Sequence, residues 1–195
     1  MTRSTRKIIL QIIALILILA FAFYVAYLAQ GNDAVKQAVL EYGYAGIFAL
    51  SFATGFNLVV PIPAIAFLPL FIEAGLNFWI TITIITVGIT LADSLAYLIG
   101  GIGHEMLMKN PKYSRERSVF KKLLRLKKKH VYAPLIFLFF YSIIAPLPNE
   151  LMVIPLALLG YRYLQIFPVV LVGNFIFNII YANGIDSFFN LLLLL

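Results

Sequence analysis

The sequence predicts an all-α integral membrane protein: an inverted repeat of two re-entrant helical hairpins, each followed by a transmembrane helix, with an N-terminal transmembrane helix before them. Three observations support this prediction: the composition, two apolar segments broken by prolines, and a constant spacing between matching residues of those segments. Of the 195 residues, 63% are hydrophobic and 12% are charged, whereas soluble domains are about half apolar and about a quarter charged. One soluble core could not enclose so much apolar surface. We therefore expect residues 1–195 to form a single membrane domain.

The composition also excludes several kinds of function. There is no cysteine, so disulfides, thiol chemistry and cysteine-ligated metals are excluded. His104 and His130 flank the one long polar stretch without the spacing of a metal site or a catalytic pair, and we expect both at the surface. The net charge of +7 is concentrated in that stretch, so it is poor evidence for a nucleic-acid partner. We expect no metal, no cofactor and no nucleic acid.

The first apolar segment, residues 8–29, follows three cations and is 22 residues long. That length exceeds the apolar core of a cleaved signal peptide. As a helix it would reach about 33 Å, which is enough to cross the hydrocarbon layer. We predict that it is retained as the first transmembrane helix.

Repeat one, residues 44–102, begins with an apolar segment that cannot be one straight helix. Pro61 and Pro63 interrupt residues 44–72, and proline removes a backbone donor and clashes with the preceding turn. Each half is too short to cross a bilayer alone, which predicts a hairpin that enters and leaves on the same side. Broken backbone at that depth must be packed in protein or line a wet cavity.

The spanning helix of repeat one is predicted at residues 78–99, with three glycines at positions 100, 101 and 103 to end it. Small residues recur at every fourth position of this segment: Gly88, Ala92, Ala96 and Gly100. Such a strip lets a second helix approach closely.

The polar stretch, residues 103–130, contains ten lysines and arginines against two glutamates. By the positive-inside rule this basic loop is cytoplasmic, and so is the N-terminus with its own cations. Two predicted crossings separate the two, so the hairpin between them must not cross. We expect a multi-pass protein of the cell membrane, with anionic lipid as a partner of the loop.

Repeat two, residues 131–184, has the same organisation as repeat one, with prolines at Pro146 and Pro148. An offset of 85 residues aligns the following pairs: Pro61 with Pro146, Pro63 with Pro148, Gly75 with Gly160, Gly88 with Gly173, and Asp93 with Asn178. Each unit crosses the membrane an odd number of times, so successive copies point in opposite directions. Inverted repeats of this kind often hold a transport site where their broken helices meet.

Four stretches carry a resemblance to a known family: Gly43–Phe48, the Pro61-Ile62-Pro63 break, Gly75–Trp79, and the helix from Gly88 through Asp93 to Gly100. Over about residues 40–184 the chain resembles the DedA family, also called the VTT or SNARE-associated Golgi protein family. The resemblance implies two facing re-entrant hairpins and movement of lipids across membranes. It implies polyprenyl-phosphate recycling in bacterial members, which are linked to the proton gradient, and phospholipid scrambling in eukaryotic ones.

The chain departs from that family's pattern at both hairpins. An acidic residue is usual near the prolines of the first hairpin, but Pro63 is followed by Ala64-Ile65-Ala66. The arginine usual after the second hairpin's proline is replaced by Asn149-Glu150-Leu151. The resemblance therefore supports the fold more than any particular substrate or coupling ion.

Five polar residues in apolar surroundings are the candidate substrate or proton pathway: Glu150, Asp93, Asn149, Asn178 and Asn174. A carboxylate at membrane depth is costly and normally faces a cavity or a partner. For Glu150 the alternative is that it caps the N-terminus of a broken half-helix. For Asp93 and the asparagines the alternative is interhelical hydrogen bonding that stabilises packing.

Arg162, at the exit of the second hairpin, is the candidate phosphate contact because guanidinium pairs well with phosphate oxygens. Its alternative is a topological anchor at the cytoplasmic surface. The leading function is a transporter or scramblase for a lipid or lipid phosphate, and membrane lipids are its partners. A small-solute or drug exporter and a non-catalytic scaffold stay open, as does a homo-oligomer. We expect no enzyme, because no nucleophile–histidine pair or acidic metal cluster lies in the spans.

Overall fold

The computed structural model describes Tyr24 and residues 32–55, 63–109, 131–144 and 148–192, with the backbone alone for 185–192. These residues form helices and turns and contain no strand. The helices are α1 (Asp33–Gly55), a 3-10 turn (Ala64–Phe67) leading into α2 (Leu68–Glu73), α3 (Phe78–Lys109), α4 (Ala133–Ile144), α5 (Glu150–Leu158) and α6 (Tyr163–Leu192). Two of them, α3 and the Tyr163–Gly184 part of α6, are long and apolar enough to cross a membrane. The predicted all-α class is confirmed.

Several predicted features lie outside the described residues. They are the first transmembrane helix (of which only Tyr24 is described, as helical), the prolines Pro61 and Pro146, and the basic loop beyond Lys109. Pro63 and Pro148 are described, and neither belongs to a helix. Both apolar segments are therefore interrupted where the sequence placed their breaks.

Helix α1 bends at Gly43, where φ is 51° and ψ is −138°. The part before this bend is tied to the end of α2 by an ion pair of 3.3 Å between Lys36 and Glu73. The part after it is tied to the start of α3, because the Tyr44 hydroxyl accepts the Asn77 backbone N–H at 3.0 Å. The helix that follows the bend is too short to span a bilayer, as are α2, α4 and α5.

Both broken segments leave through the same glycine-centred turn. Gly75 and Gly160 have φ values of 86° and 73°, in the left-handed region that favours glycine. After α2 the Leu76 N–H donates to the Phe71 carbonyl at 3.1 Å, and after α5 the Tyr161 N–H donates to the Leu156 carbonyl at 3.1 Å. This is the Schellman hydrogen-bond pattern of helix ends. Its two copies lie 85 residues apart, which is the offset found in the sequence.

The first limbs of the two broken segments do not follow that offset. Ser51 on α1 donates to its own helix and packs beneath Gly88, and Ser142 on α4 does the same beneath Gly173. The two glycines are 85 residues apart, whereas the two serines are 91 apart. The tip of the second segment is therefore six residues shorter than the tip of the first.

Helix α3 is the centre of the bundle, with α1 and α5 packed along it. The strip of small residues is buried as predicted, with Ala92 and Ala96 fully covered. A Cβ at Gly88 would lie 2.7 Å from the Ser51 Cβ of α1, and one at Gly100 would lie 2.5 Å from the Ile154 carbonyl oxygen of α5. The strip therefore packs against α1 near Gly88 and against α5 near Gly100.

The predicted end of this helix at residue 99 is wrong, because α3 continues to Lys109. Glycine is a poor helix former, but tertiary packing overrides that preference. Here Gly100 and Gly103 bring the α3 backbone against α5, where a Cβ at Gly103 would lie 2.9 Å from the Leu158 Cδ1. The glycines act as a packing surface and not as a stop.

We expect Gly100→Ala to lower the free energy of unfolding by about 1–3 kcal/mol, because its new methyl group would overlap the α5 backbone. Gly101→Ala is the matched control, since a Cβ there meets nothing within 4 Å; removing a helical glycine there should stabilise by up to about 1 kcal/mol. Thermal unfolding of both variants in the same detergent measures the difference. Equal midpoints would contradict the close approach of α3 and α5.

Candidate functional site

A buried cluster of polar side chains joins three parts of the fold. Asp93 comes from α3, Asn149 from the turn before α5, and Asn174 from α6, and each is less than a tenth exposed. The amides of Asn149 and Asn174 both donate to the Asp93 Oδ2 at 3.1 Å. The Asn149 amide also donates to the Asn174 Oδ1 at 2.8 Å. The three side chains therefore form one closed network.

Two asparagines of α6 continue this network along α3. The amide of Asn174 donates to the Thr90 hydroxyl at 3.1 Å, and the amide of Asn178 donates to the Thr86 hydroxyl at 2.9 Å. The threonine protons are directed to α3 carbonyls, so their hydroxyl oxygens are available as acceptors. Residue numbers rise along α6 as they fall along α3. The two helices are therefore antiparallel where they meet.

Glu150 is the first residue of α5 and is fully buried. Its carboxyl group lies at the N-terminus of a helix, where negative charge is favoured. The turn before it is held by Tyr141 of α4, whose hydroxyl donates to the Pro148 carbonyl at 3.1 Å. Two carboxyl groups therefore lie inside the bundle, at the break between α4 and α5.

Some polar atoms of this region have no hydrogen-bond partner among the described residues. They include the second carboxyl oxygen of Asp93, its Oδ1, and the Oδ1 of Asn178. A cavity of about 10 Å³ lies beside Asp93. Residues of α3, α5 and α6 line it, and the surface that they turn toward it is apolar. One carboxyl oxygen of Asp93 is therefore buried without a hydrogen-bond donor among the described residues.

The other predicted site residues lie away from the cluster. Arg162 is exposed just before α6, and its backbone N–H donates to the Gln165 Oε1 at 3.0 Å. Its carbonyl accepts the backbone N–H groups of Gln165 and Ile166 in the first turn of α6, which is the role of a residue at a helix start. At each break the structure describes the second proline, which is Pro63 in the first broken segment and Pro148 in the second.

The hydroxyl side chains of the site were not among the residues predicted from the sequence. Thr86, Thr90 and Ser94 recur at every fourth position of α3, a spacing that places them on one helix face. The Ser94 hydroxyl is also 2.9 Å from the hydroxyl of Tyr163 on α6. The four-residue spacing of Thr86, Thr90 and Ser94 is visible in the sequence and could have identified these hydroxyl residues.

His104 was predicted to lie at the surface, but in the structure it is partly buried. Its side chain is only partly exposed, and its Nδ1 lies 2.7 Å from the Leu158 carbonyl at the end of α5. The ring also packs under Gly160, where an added Cβ would lie 3.1 Å from it. His104 thus covers the last carbonyls of α5, a favourable place for a histidine.

Comparison with known proteins gives one match. A sequence model described as the VTT domain matches residues 57–187, which is more than half of the chain. The matched range contains every member of the polar cluster. No curated protein and no solved structure matches the chain.

We expect Asn174→Leu to lower the free energy of unfolding by about 1–3 kcal/mol, because it removes a donor from Asp93 and leaves buried polar partners unsatisfied. Asn183→Leu on the same helix is the control. Asn183 is exposed, and its amide donates to the Ile179 carbonyl of its own helix at 2.7 Å. Unfolding in mixed micelles provides the measurement. A control as damaging as Asn174→Leu would show that the cluster adds no stability.

Proposed function

Since the chain belongs to the VTT domain family, we propose that it is a membrane transporter or scramblase that moves a lipid or a lipid phosphate across the bilayer. The observation that carries the proposal is the buried cluster at the break between α4 and α5. Such a cluster is costly in an apolar bundle, and Asp93 has an oxygen that the described protein leaves open. A pathway for a polar headgroup needs polar partners at depth, and this cluster supplies them.

We further propose that both broken segments are re-entrant hairpins and that the two units form an inverted repeat. Three observations support this arrangement. The half-helices are too short to cross, the exit turns share one hydrogen-bond pattern at the 85-residue offset, and α3 and α6 meet antiparallel. Hairpins entering from opposite faces would bring two openings toward the same buried cluster. A headgroup could then cross between them while its acyl or prenyl tails stay in lipid.

In this mechanism Asp93 and Glu150 couple movement to an ion. A buried carboxyl group is costly while it is charged, so we expect the cycle to include neutralisation of Asp93 by a proton or another cation. The neutral form of Asp93 would bind its asparagine partners less strongly. Arg162 would meet a phosphate group earlier, at the membrane surface where it is exposed.

We also propose a membrane topology and a set of partners for the protein. The cation-rich loop and N-terminus favour a cytoplasmic location for both, in a multi-pass protein of the cell membrane. The loop would attract anionic lipid, and association of two copies is compatible with the exposed apolar faces. The protein would act as a carrier and not as an enzyme, with no resident cofactor.

One observation favours a second candidate, an exporter of small cationic solutes. Asp93 and Glu150 supply two buried carboxyl groups, and among the described residues no hydrogen bond or ion pair joins a lysine, arginine or histidine to Asp93. An anionic site of this kind would suit a cation better than a bare phosphate. A scaffold without transport is the remaining alternative, although a scaffold has no need for buried carboxylates.

The proposal is tested in liposomes that contain the purified protein, fluorescent phospholipid and labelled polyprenyl phosphate. We expect transfer of at least one of the two lipids between leaflets. Glu150→Gln should slow this transfer by at least about tenfold, because it removes the ionisable group while keeping the shape of a buried side chain.

Glu105→Gln is the control, since Glu105 is exposed at the far end of α3 and pairs only with Lys109 among the described contacts. That variant should transfer lipid at the rate of the unchanged protein. If the folded protein transfers neither lipid but does transfer an organic cation, the exporter replaces the lipid carrier. If nothing is transferred and Glu150→Gln changes nothing, the scaffold is favoured.

A further inference from the structure

We propose that Tyr97 and Tyr163 form a gate that closes the buried polar cluster toward the end of the bundle at which α5 ends and α6 begins. The inference rests on the proposed function in one respect, because it names what controls access to the cluster that a headgroup would have to reach. Under the proposed topology the gate faces the cytoplasm. Three observations carry the inference: where the two rings lie, what holds them, and how they can move.

The two rings lie between the cluster and an open groove. Tyr97 follows Asp93 by four residues, so the two side chains share one face of α3. Both Tyr97 and Tyr163 line the small cavity beside Asp93. Tyr97 also lines an open groove of about 460 Å³ that runs along α3 past Gly101 to Glu105. Tyr97 is therefore the residue that the buried cavity and the open groove have in common.

Hydrogen bonds hold both rings in this position. The Ser94 hydroxyl donates to the Thr90 carbonyl at 3.0 Å, so across 2.9 Å it is the Tyr163 hydroxyl that donates to Ser94. The Tyr97 hydroxyl donates to the Tyr161 carbonyl at 3.1 Å, in the turn between α5 and α6. The rings of Tyr97 and Tyr163 also meet edge to face, with centroids 5.3 Å apart. Each hydroxyl thus reaches from its own helix to the other side of the interface.

The cavity behind the rings has the properties expected of a closed gate. Its volume is about 10 Å³ and the surface turned toward it is apolar, so it offers too few polar partners to bind a water molecule. Val153 of α5 and Val170 of α6 also line it, and each is 1% exposed. A polar headgroup could not pass between the two tyrosines in this arrangement. The structure therefore holds the cluster closed toward the groove.

The other side of the cluster, toward the start of α3, is covered more thickly. There α3 and α6 pack against the first broken segment in a core that contains Ile65, Ile82 and Ala182, each at most 1% exposed. Tyr97 and Tyr163, in contrast, are only partly buried. The route past the two tyrosines is therefore the easier one to open.

The position of Tyr163 lets the gate move. Tyr163 is the first residue of α6, and the first N–H groups of a helix have no partner inside the helix. The first turn can therefore shift at less cost than the helix interior. A tyrosine hydroxyl that leaves Ser94 can bond water at the membrane surface, where aromatic rings with a polar end are favoured. Opening thus exchanges hydrogen bonds and does not simply lose them.

The chain has no cysteine, so a single introduced thiol can test access to the cavity. Val170→Cys places this reporter at a buried lining position of α6. The probe is a methanethiosulfonate reagent with a trimethylammonium group, which is too large for the closed cavity. The full chain is labelled in detergent at fixed pH, and mass spectrometry gives the rate. We expect slow labelling that is limited by opening of the gate.

Removing one hydroxyl from the gate should speed this labelling. Tyr163→Phe keeps the ring but removes the bond to Ser94, and we expect the rate to rise about three- to tenfold, as for the loss of one hydrogen bond from the closed form. Tyr97→Phe should act in the same direction. Tyr132→Phe is the matched control and should leave the rate unchanged, because Tyr132 is 73% exposed just before α4.

A second reporter separates gate opening from a general loosening of the fold. Ile82→Cys places a thiol in the core on the other side of the cluster. Tyr163→Phe should leave its labelling rate unchanged, and acceleration confined to Val170→Cys supports the gate. Equal acceleration at both cysteines overturns it, as does a rate at Val170→Cys that neither phenylalanine changes. Val153→Cys, on the α5 wall, gives the same reading if Val170→Cys does not fold.

The labelling needs no substrate, so the gate and the proposed function can fail separately. If the tyrosine variants speed labelling but the protein transfers neither lipid, the gate stands and the lipid carrier fails. If lipid is transferred while the labelling rate ignores both tyrosines, the lipid carrier stands and the gate is overturned.

Discussion

The structure depends most on the pair of amide hydrogen bonds that Asn149 and Asn174 donate to the Asp93 Oδ2. A carboxylate buried among apolar helices is tolerated only when its charge is stabilised. Its donors come from α6 and from the turn that opens α5, so satisfying one oxygen fixes the relative positions of three helices. The position at which α5 begins and the faces on which α3 and α6 meet are both consistent with that requirement.

Close packing supports the same arrangement. Gly88, Ala92, Ala96 and Gly100 let α1 and α5 approach the α3 backbone, and in lipid such contacts contribute much of helix association because burial of apolar surface contributes little. Hydrogen bonds then fix the rotation of each helix. Small residues determine how near the helices lie, and the polar cluster determines which faces meet.

The sequence predicts the broad features because prolines, glycines and the apolar excess act locally. The breaks at Pro63 and Pro148 and the exits at Gly75 and Gly160 need no tertiary information. Two features could not be predicted in this way. The length of α3 depends on α5 packing against Gly100 and Gly103, and the Asp93 partners depend on how three distant segments meet. Local propensity cannot encode either contact, although the period of Thr86, Thr90 and Ser94 marked the face concerned.

The six-residue difference between the two tips has a consequence for a carrier made of related halves. If two inverted halves were identical and related by a two-fold axis in the membrane plane, the state open to one side would be equivalent to the state open to the other, and neither would be preferred. The shorter tip carries Asn149 and Glu150, and the longer segment has Ala64 and Ile65 at the matching positions. If the chain acts as a carrier, we expect this asymmetry to favour one resting orientation. The preferred orientation would decide which side is open at rest, while the direction of net movement would still be set by the gradient.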